Sequence, residues 1–297
     1  MKDKCRGFRD KEVSVVSAGV AVPVQGTNVT AGDCRMIGMV NKMLEVAYMS
    51  IEGMSEADRE LLYSCVTPER REQLRSRRNS LSADLSLAGE VLARVMLWKT
   101  VRMQEEERQA QCDCIPDDYP YSGGRPGVIQ PKDFVILRDK QGKPYQETVP
   151  GLFFNYSHSG SMVACGVAGE NIGVDIQKQT EGSKVREKVY CEEELVDEEN
   201  SVDWSRYFTE IWTKKESYLK LTGEGLRREM KSLNVRRMRV SGEVQWYGGW
   251  VLDDYCLYAC VEDFTARKTG RNMYQMGLCE VTRLIKSVQE VSGNAER

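Results

Sequence analysis

The sequence predicts an α+β fold, a pseudo-twofold duplication of two similar α+β halves with the active site in the cleft between them. Three observations carry that prediction. A strand, an amphipathic helix and further strands occur in the same order twice along the chain. The interval from strand to helix is similar in the two copies, Val46 to Leu85 and Val174 to Ile211. Composition is that of a globular protein with chain enough to bury a core: 297 residues, 41% apolar and 29% charged. Two packed halves leave a cleft between them, a common place for a ligand.

Residues 1–42 are rich in Gly, Val and Ser without a clean period and are expected to form an N-terminal extension outside the core. Met36, Met39 and Met43 follow, so a start codon assigned upstream of the true one is an equal reading. The apolar stretch from Val13 to Val24 is interrupted by Pro23 and is too short for a bilayer, which needs about 20 residues. A secretory signal is the weaker alternative there, because Asp3, Asp10 and Glu12 flank the stretch.

The N-terminal half, residues 43–170, opens with a strand from Leu44 to Ile51. Thr67, Pro68 and Glu69 then start an Arg-rich helical turn with Pro at a first helical position. A helix follows from Leu81 to Arg102, with Leu85, Ala88, Val91, Leu92, Val95 and Met96 at spacings of three and four. Pro and Gly mark Cys112 to Pro131 as a loop. Strands are expected at Phe134–Leu137, Leu152–Tyr156 and Met162–Val167, with a turn from Asp139 to Pro144. The C-terminal half, residues 171–297 including a C-terminal tail, reads as a strand at Ile172–Ile176 and a helix at Tyr207–Leu221. Strands are expected near Val235–Val240, Val244–Tyr247 and Tyr255–Val261.

Charge and residue counts remove whole classes of function. Forty-five acidic against 42 basic side chains leave a net charge of −3, so an anionic partner has to be held by a local cluster. Nucleic-acid binding is therefore not expected, although Arg70 to Arg78 and Arg236, Arg237 and Arg239 are clustered. Ten scattered cysteines form no disulfide framework and point to a reduced cytoplasm; Cys112 and Cys114 read as loop thiols. No segment reaches membrane length. With His158 as the single histidine, a three-His or HExxH zinc site is impossible, and neither a P-loop nor a Rossmann fingerprint is present.

Three segments place polar groups where a buried element should be apolar. In FNYSHSG, Phe154 to Gly160, alternation puts Ser157 and Ser159 on one strand face and His158 on the other. That is poor geometry for a serine nucleophile paired with this histidine. A hydroxyl, an imidazole and a glycine turn suit a phosphate, and a hydrogen-bonded core histidine is the plainer alternative. In IGVDIQ, Ile172 to Gln177, Asp175 and Gln177 point the same way from an apolar strand. A buried carboxylate needs a cation beside it, unless Asp175 caps a strand end. In the segment Phe208 to Leu226, the residues Phe208, Ile211, Trp212 and Leu219 form a buried stripe with Glu216 on its flank, four residues before Lys220. Glu216 and Lys220 alone would read as an exposed ion pair. Together with Asp175 they suggest two oxygen ligands converging on Mg²⁺ beside a phosphorylated ligand. Arg70, Arg71, Arg75, Arg77, Arg78 and Lys143 are the candidate phosphate holders.

These segments resemble a known family. GKP at Gly142 to Pro144, FNYSHSG followed by IGVDIQ, and then WTKKESYLKLTGEGL look like the three signature motifs of the Sfp-type 4′-phosphopantetheinyl transferases of the holo-carrier-protein synthase superfamily. TPERREQ at Thr67 to Gln73 and LSLAGEVLAR at Leu85 to Arg94 are similar to that family's N-terminal half, so the resemblance covers Leu44 to Val261. It implies the duplicated α+β fold with coenzyme A in the cleft. The implied activity is Mg²⁺-dependent transfer of 4′-phosphopantetheine from coenzyme A to a serine of an apo acyl or peptidyl carrier protein, releasing adenosine 3′,5′-bisphosphate.

By motif, the resemblance gives Asp175 and Glu216 to the metal, with Gln177 as a third, uncharged ligand where many members carry a carboxylate. Glu216 is also the implied general base, and Lys220 meets the pyrophosphate. Ser157, His158 and Lys143 take coenzyme A phosphates, while Arg70 and Ser86 serve the nucleotide end. Gln73 stands where a lysine is common. A monomer acting in the cytoplasm is expected. The alternatives are a non-catalytic coenzyme A or carrier-protein binding module and another Mg²⁺-dependent phosphoryl-transfer enzyme.

Overall fold

Strand β5 (Met162–Ala168) is buried at every position, as a strand must be when both faces of its sheet are covered. In the computed structural model, which describes residues 43–111, 129–182, 184–242, 244–262 and 271–295, the alternate residues of β5 serve two different cores. Val163, Cys165 and Val167 join a cluster with the long helix Ser80–Gln111. Met162, Ala164 and Ala168 join a second cluster against another sheet. The expected extension 1–42, with Val13 to Val24, and the loop thiols Cys112 and Cys114 lie outside the described residues.

The first sheet has the order β4–β5–β1–β9, with β1 at Leu44–Ser50, β4 at Phe153–Ser159 and β9 at Arg271–Gln275. Helices α1 (Glu56–Tyr63), α2 (Pro68–Arg75) and α3 (Ser80–Gln111) lie between β1 and β4 in the chain. The short ribbon β2 (Ile136–Arg138) and β3 (Pro144–Gln146) precedes β4. The second sheet has the order β6–β8–β7, with β6 at Ile172–Lys178, β7 at Gln245–Leu252 and β8 at Tyr255–Val261, all pairings antiparallel.

Leu257, Ala259 and Val261 of β8 and Ile172, Val174 and Ile176 of β6 face the first sheet. The other face of the second sheet receives helix α6 (Trp204–Thr222), reached through α4 (Arg186–Val189) and α5 (Glu192–Glu199). The layers are therefore helix, sheet, sheet, helix, a mixed α+β architecture. No helix among the described residues is long and apolar enough to cross a membrane.

Two expectations meet a different structure. The segment read as a strand near Val235–Val240 is helix α7 (Val235–Ser241). Asn234 caps it by accepting from the backbone N–H of Arg237, and the buried Val235 and Met238 are three residues apart, on one helical face. The two valines suggested strand propensity, but Val240 is 84% exposed, so nothing packs it as strand. The C-terminal tail, expected with the second half, packs on the first. Strand β9 runs parallel to β1, and Val281 and Ile285 of α8 (Leu278–Ala295) enter the core that contains α3.

Candidate active site

The segment FNYSHSG works as a fastener between the sheets. Asn155, Ser157 and Ser159, alternate residues of β4, all bond to β6: the Asn155 Oδ1 accepts from the Val174 N–H at 2.8 Å, and the Ser159 Oγ accepts from the Lys178 N–H at 3.0 Å. Between them the Ser157 hydroxyl donates to Asp175 Oδ1 at 2.8 Å. His158 points to the opposite, open face, as alternation requires. Because Asn155 is buried, Asn155→Ala leaves the Val174 N–H without a partner and is expected to cost about 1–3 kcal/mol of unfolding free energy. Urea denaturation checks this, and an unchanged midpoint would contradict it.

Asp175 is held from the other side by α6. The ammonium of Lys220 donates to Asp175 Oδ1 at 2.6 Å and to the Ser157 hydroxyl at 2.7 Å. Helix α6 forms locally because Asp203 caps its first turn, accepting from the Arg206 N–H, while Gly223 ends it in the left-handed conformation, φ 74°. It lies close to β6 because residue 173 has no side chain: a Cβ there would stand 1.9 Å from the Ser217 carbonyl oxygen. Farther along the buried face, Lys215 is fully enclosed and donates to Glu194 at 2.5 Å and to the carbonyls of Val189 and Met230.

The electrostatics of this seam are unbalanced. Burial, and then the negative charge of Asp175, push the Glu216 carboxyl up to about 7, with Lys220 offsetting only part of the rise. Asp175 Oδ2 is buried with no hydrogen-bond partner. On the open face, loss of water around the His158 ring and then the positive charges of Lys220 and Arg77 hold its pKa below the usual range, although the residue as a whole is exposed. Arg77 reaches this place from the turn between α2 and α3, where it donates to the Ser86 hydroxyl at 2.7 Å. Two carboxyls close enough to repel each other thus share this seam, and three basic groups, Arg77, His158 and Lys220, are near enough to interact beside them. Such an arrangement can take a polyanion and a divalent cation together.

The structure brings Asp175, Glu216, Lys220, Ser157 and His158 together, with Ser86 joined through Arg77. Other expected residues stand apart. Lys143 donates to the Asn171 side chain at 2.9 Å and to the Leu221 carbonyl at 3.1 Å, at the C-terminal end of α6. Arg70 is paired with the buried Glu90 at 2.8 Å and donates to Gln73 at 2.6 Å. Gln177 donates to the Lys178 carbonyl at 3.2 Å. Among the described residues no group of three or more His, Cys, Asp and Glu side chains stands ready for a metal ion; Asp175 and Glu216 are two acids near each other.

Sequence reasoning passed over Asn155, Gly173, Lys215 and the contact of Arg77 with Ser86. A glycine inside an apolar strand was the signal available for Gly173. The pairing of Lys215 with Glu194 had none, since the two lie on different helices.

Comparison with known proteins agrees with the motifs. Residues 171–271 match ACPS, the 4′-phosphopantetheinyl transferase superfamily. The chain is 28% identical over 186 residues to the 4′-phosphopantetheinyl transferase Sfp of Bacillus subtilis (strain 168), covering 62% of this chain and 71% of that protein. A second 4′-phosphopantetheinyl transferase of Bacillus subtilis is 32% identical over 111 residues, 36% of this chain and 50% of its own. The 4′-phosphopantetheinyl transferase gsp of Aneurinibacillus migulanus is 26% identical over 190 residues, 62% of this chain and 68% of its own. The match to the superfamily spans β6, α6, β7 and β8, which carry Asp175, Glu216 and Lys220, and the longer similarities extend beyond it. Over residues 171–271 the chain is similar to the 4′-phosphopantetheinyl transferase superfamily, and its longer similarities are to transferases of that kind.

Proposed function

We propose that this protein transfers the 4′-phosphopantetheine group of coenzyme A to a serine hydroxyl of an apo acyl or peptidyl carrier protein, releasing adenosine 3′,5′-bisphosphate. The observation that carries the reading is the meeting of Ser157 from β4, Asp175 from β6 and Lys220 from α6 in one hydrogen-bonded knot beside Glu216. In each sheet a helix follows the first strand, and the last of the three strands β1, β4, β5 or β6, β7, β8 lies at the centre. That recurrence supports a pseudo-twofold duplication of the β1–β5 and β6–β8 units, the tail after β8 being an addition to the first, with coenzyme A in the cleft between them.

Asp175 and Glu216 suit a divalent cation: one buried carboxylate oxygen lacks a partner, and the two acids repel each other. The Gln177 carbonyl would be an uncharged third ligand. When bound there, Mg²⁺ neutralises charge on the diphosphate oxygens.

The remaining work falls to the protein's own side chains. Glu216 accepts the proton of the incoming serine, directly or through a water molecule. The serine oxygen forms its bond to the β-phosphorus as the bond from that phosphorus to the bridging oxygen breaks, and the bisphosphate leaves with the electron pair. Lys220 stabilises the charge that gathers on the diphosphate. Ser157 and His158 hold phosphate oxygens, and Ser86 serves the nucleotide end. Arg70 and Lys143 would bind phosphate through the donors that Glu90, Gln73, Asn171 and Leu221 leave free. The same reading takes the protein as a cytoplasmic monomer with no nucleic-acid or membrane partner.

The test is to mix the protein with coenzyme A, Mg²⁺ and a panel of apo carrier proteins and to weigh each carrier. One added phosphopantetheine arm on at least one carrier is expected. Carriers that stay unmodified here, but are modified by an authentic transferase, would overturn the proposal. Gln177→Glu restores a second strand carboxylate and is expected to lower the Mg²⁺ concentration for half-maximal transfer; an unchanged titration would count against Gln177 as a ligand.

A further inference from the structure

We infer that Lys220 couples the binding of the diphosphate to that of the divalent cation, its ammonium covering Asp175 until an anion draws it away. The inference rests on the reading of Asp175 and Glu216 as the cation site and adds the order of events there.

The ammonium of Lys220 lies 2.6 Å from Asp175 Oδ1, where a cation bound by that oxygen would have to stand. Ser157 shares both partners, so Oδ1 receives two donors while Oδ2, in the same carboxylate, receives none. The two side chains differ in freedom. Asp175 is 7% exposed and fixed on a strand, whereas Lys220 is 28% exposed at the end of a flexible stem. Lys220 is therefore the partner that moves.

A doubly charged ion on either Asp175 oxygen, the unpartnered Oδ2 included, is repelled by the full positive charge that Lys220 holds 2.6 Å from Oδ1, and Gln177 adds no negative charge to offset the repulsion. A diphosphate in the seam offers Lys220 a stronger acceptor, beside His158 and Arg77 on the open face. When Lys220 turns to that anion, Asp175 is uncovered. Linkage requires the reverse as well: a cation on Asp175 sends Lys220 outward and strengthens diphosphate binding by the same factor.

Binding of Mn²⁺ alone, followed by the electron paramagnetic resonance of the free ion, tests this without any carrier or turnover. Lys220→Met is expected to bind Mn²⁺ at least about fivefold more tightly than the unmutated protein, the lower end of typical coupling between sites. Saturating coenzyme A should tighten Mn²⁺ binding to the unmutated protein by a similar factor and add little in the variant, after correction for Mn²⁺ held by free coenzyme A. Lys220→Gln keeps a neutral donor to Asp175 and is expected to fall between the two; it serves if the methionine variant does not fold. Equal Mn²⁺ affinities with and without Lys220, while the unmutated protein still modifies carriers, would overturn the coupling and leave the transferase reading intact. Absence of carrier modification by the unmutated protein would remove that reading, and the coupling with it.

Discussion

Glu216→Gln is expected to abolish transfer, with turnover falling roughly 100- to 10,000-fold, the contribution typical of a positioned general base. Thermal unfolding should show that the fold is retained, because Gln matches Glu in shape and removes a carboxyl that burial and Asp175 already disfavour as a charge. The same variant has a signature in pH. In the folded metal-free protein Glu216 titrates at about 7, against its ordinary 4.5. Between those values the folded state binds more protons than the unfolded state, so this group's contribution makes stability fall as pH rises. Its effect is complete above pH of about 7 and absent below about 4.5. Melting temperatures of the metal-free variant should therefore gain on those of the unmutated protein as pH rises through that window. Parallel melting curves would refute the placement of Glu216, and near-normal turnover would refute its role.

Gly173→Ala is expected to damage both stability and catalysis by one cause. The added methyl would stand 1.9 Å from the Ser217 carbonyl oxygen and 2.4 Å from the Leu221 nitrogen, both backbone atoms of α6. Neither can rotate aside, so the helix must shift away from β6. Overpacking of this kind costs about 1–3 kcal/mol and at times more. The shift also carries Glu216 and Lys220 away from Asp175, and a displacement of about 1 Å at a reacting centre can cost roughly 100-fold in rate. Gly277→Ala is the control, since a Cβ there meets nothing within 4 Å. A Gly173→Ala protein as stable and active as that control would show that the close approach of α6 does not position the site.

The legible part of the molecule was the part whose information is local. Alternation along β4 separated Ser157 from His158 before any contact was visible, and helical spacing set Glu216 and Lys220 one turn apart beside an apolar stripe. Helix α7 reads as a strand because the β-branched Val235 and Val240 favour one; the capping by Asn234 and the exposure of Val240 decide the matter. The placement of β9 on the first sheet was also not visible, since the strand it pairs with is more than two hundred positions away.

The sequence by itself determined the α+β class, the chemical types at the site and the family they resemble, because periodicity and motif spacing are properties of a single stretch of chain. Only the tertiary structure decided that Lys220 rests on Asp175, that Arg77 rather than Arg70 approaches His158, and that Lys143 is engaged with Leu221. Those choices are competitions among charges brought together by folding. Which partner wins depends on distance and burial across elements, which no local pattern encodes.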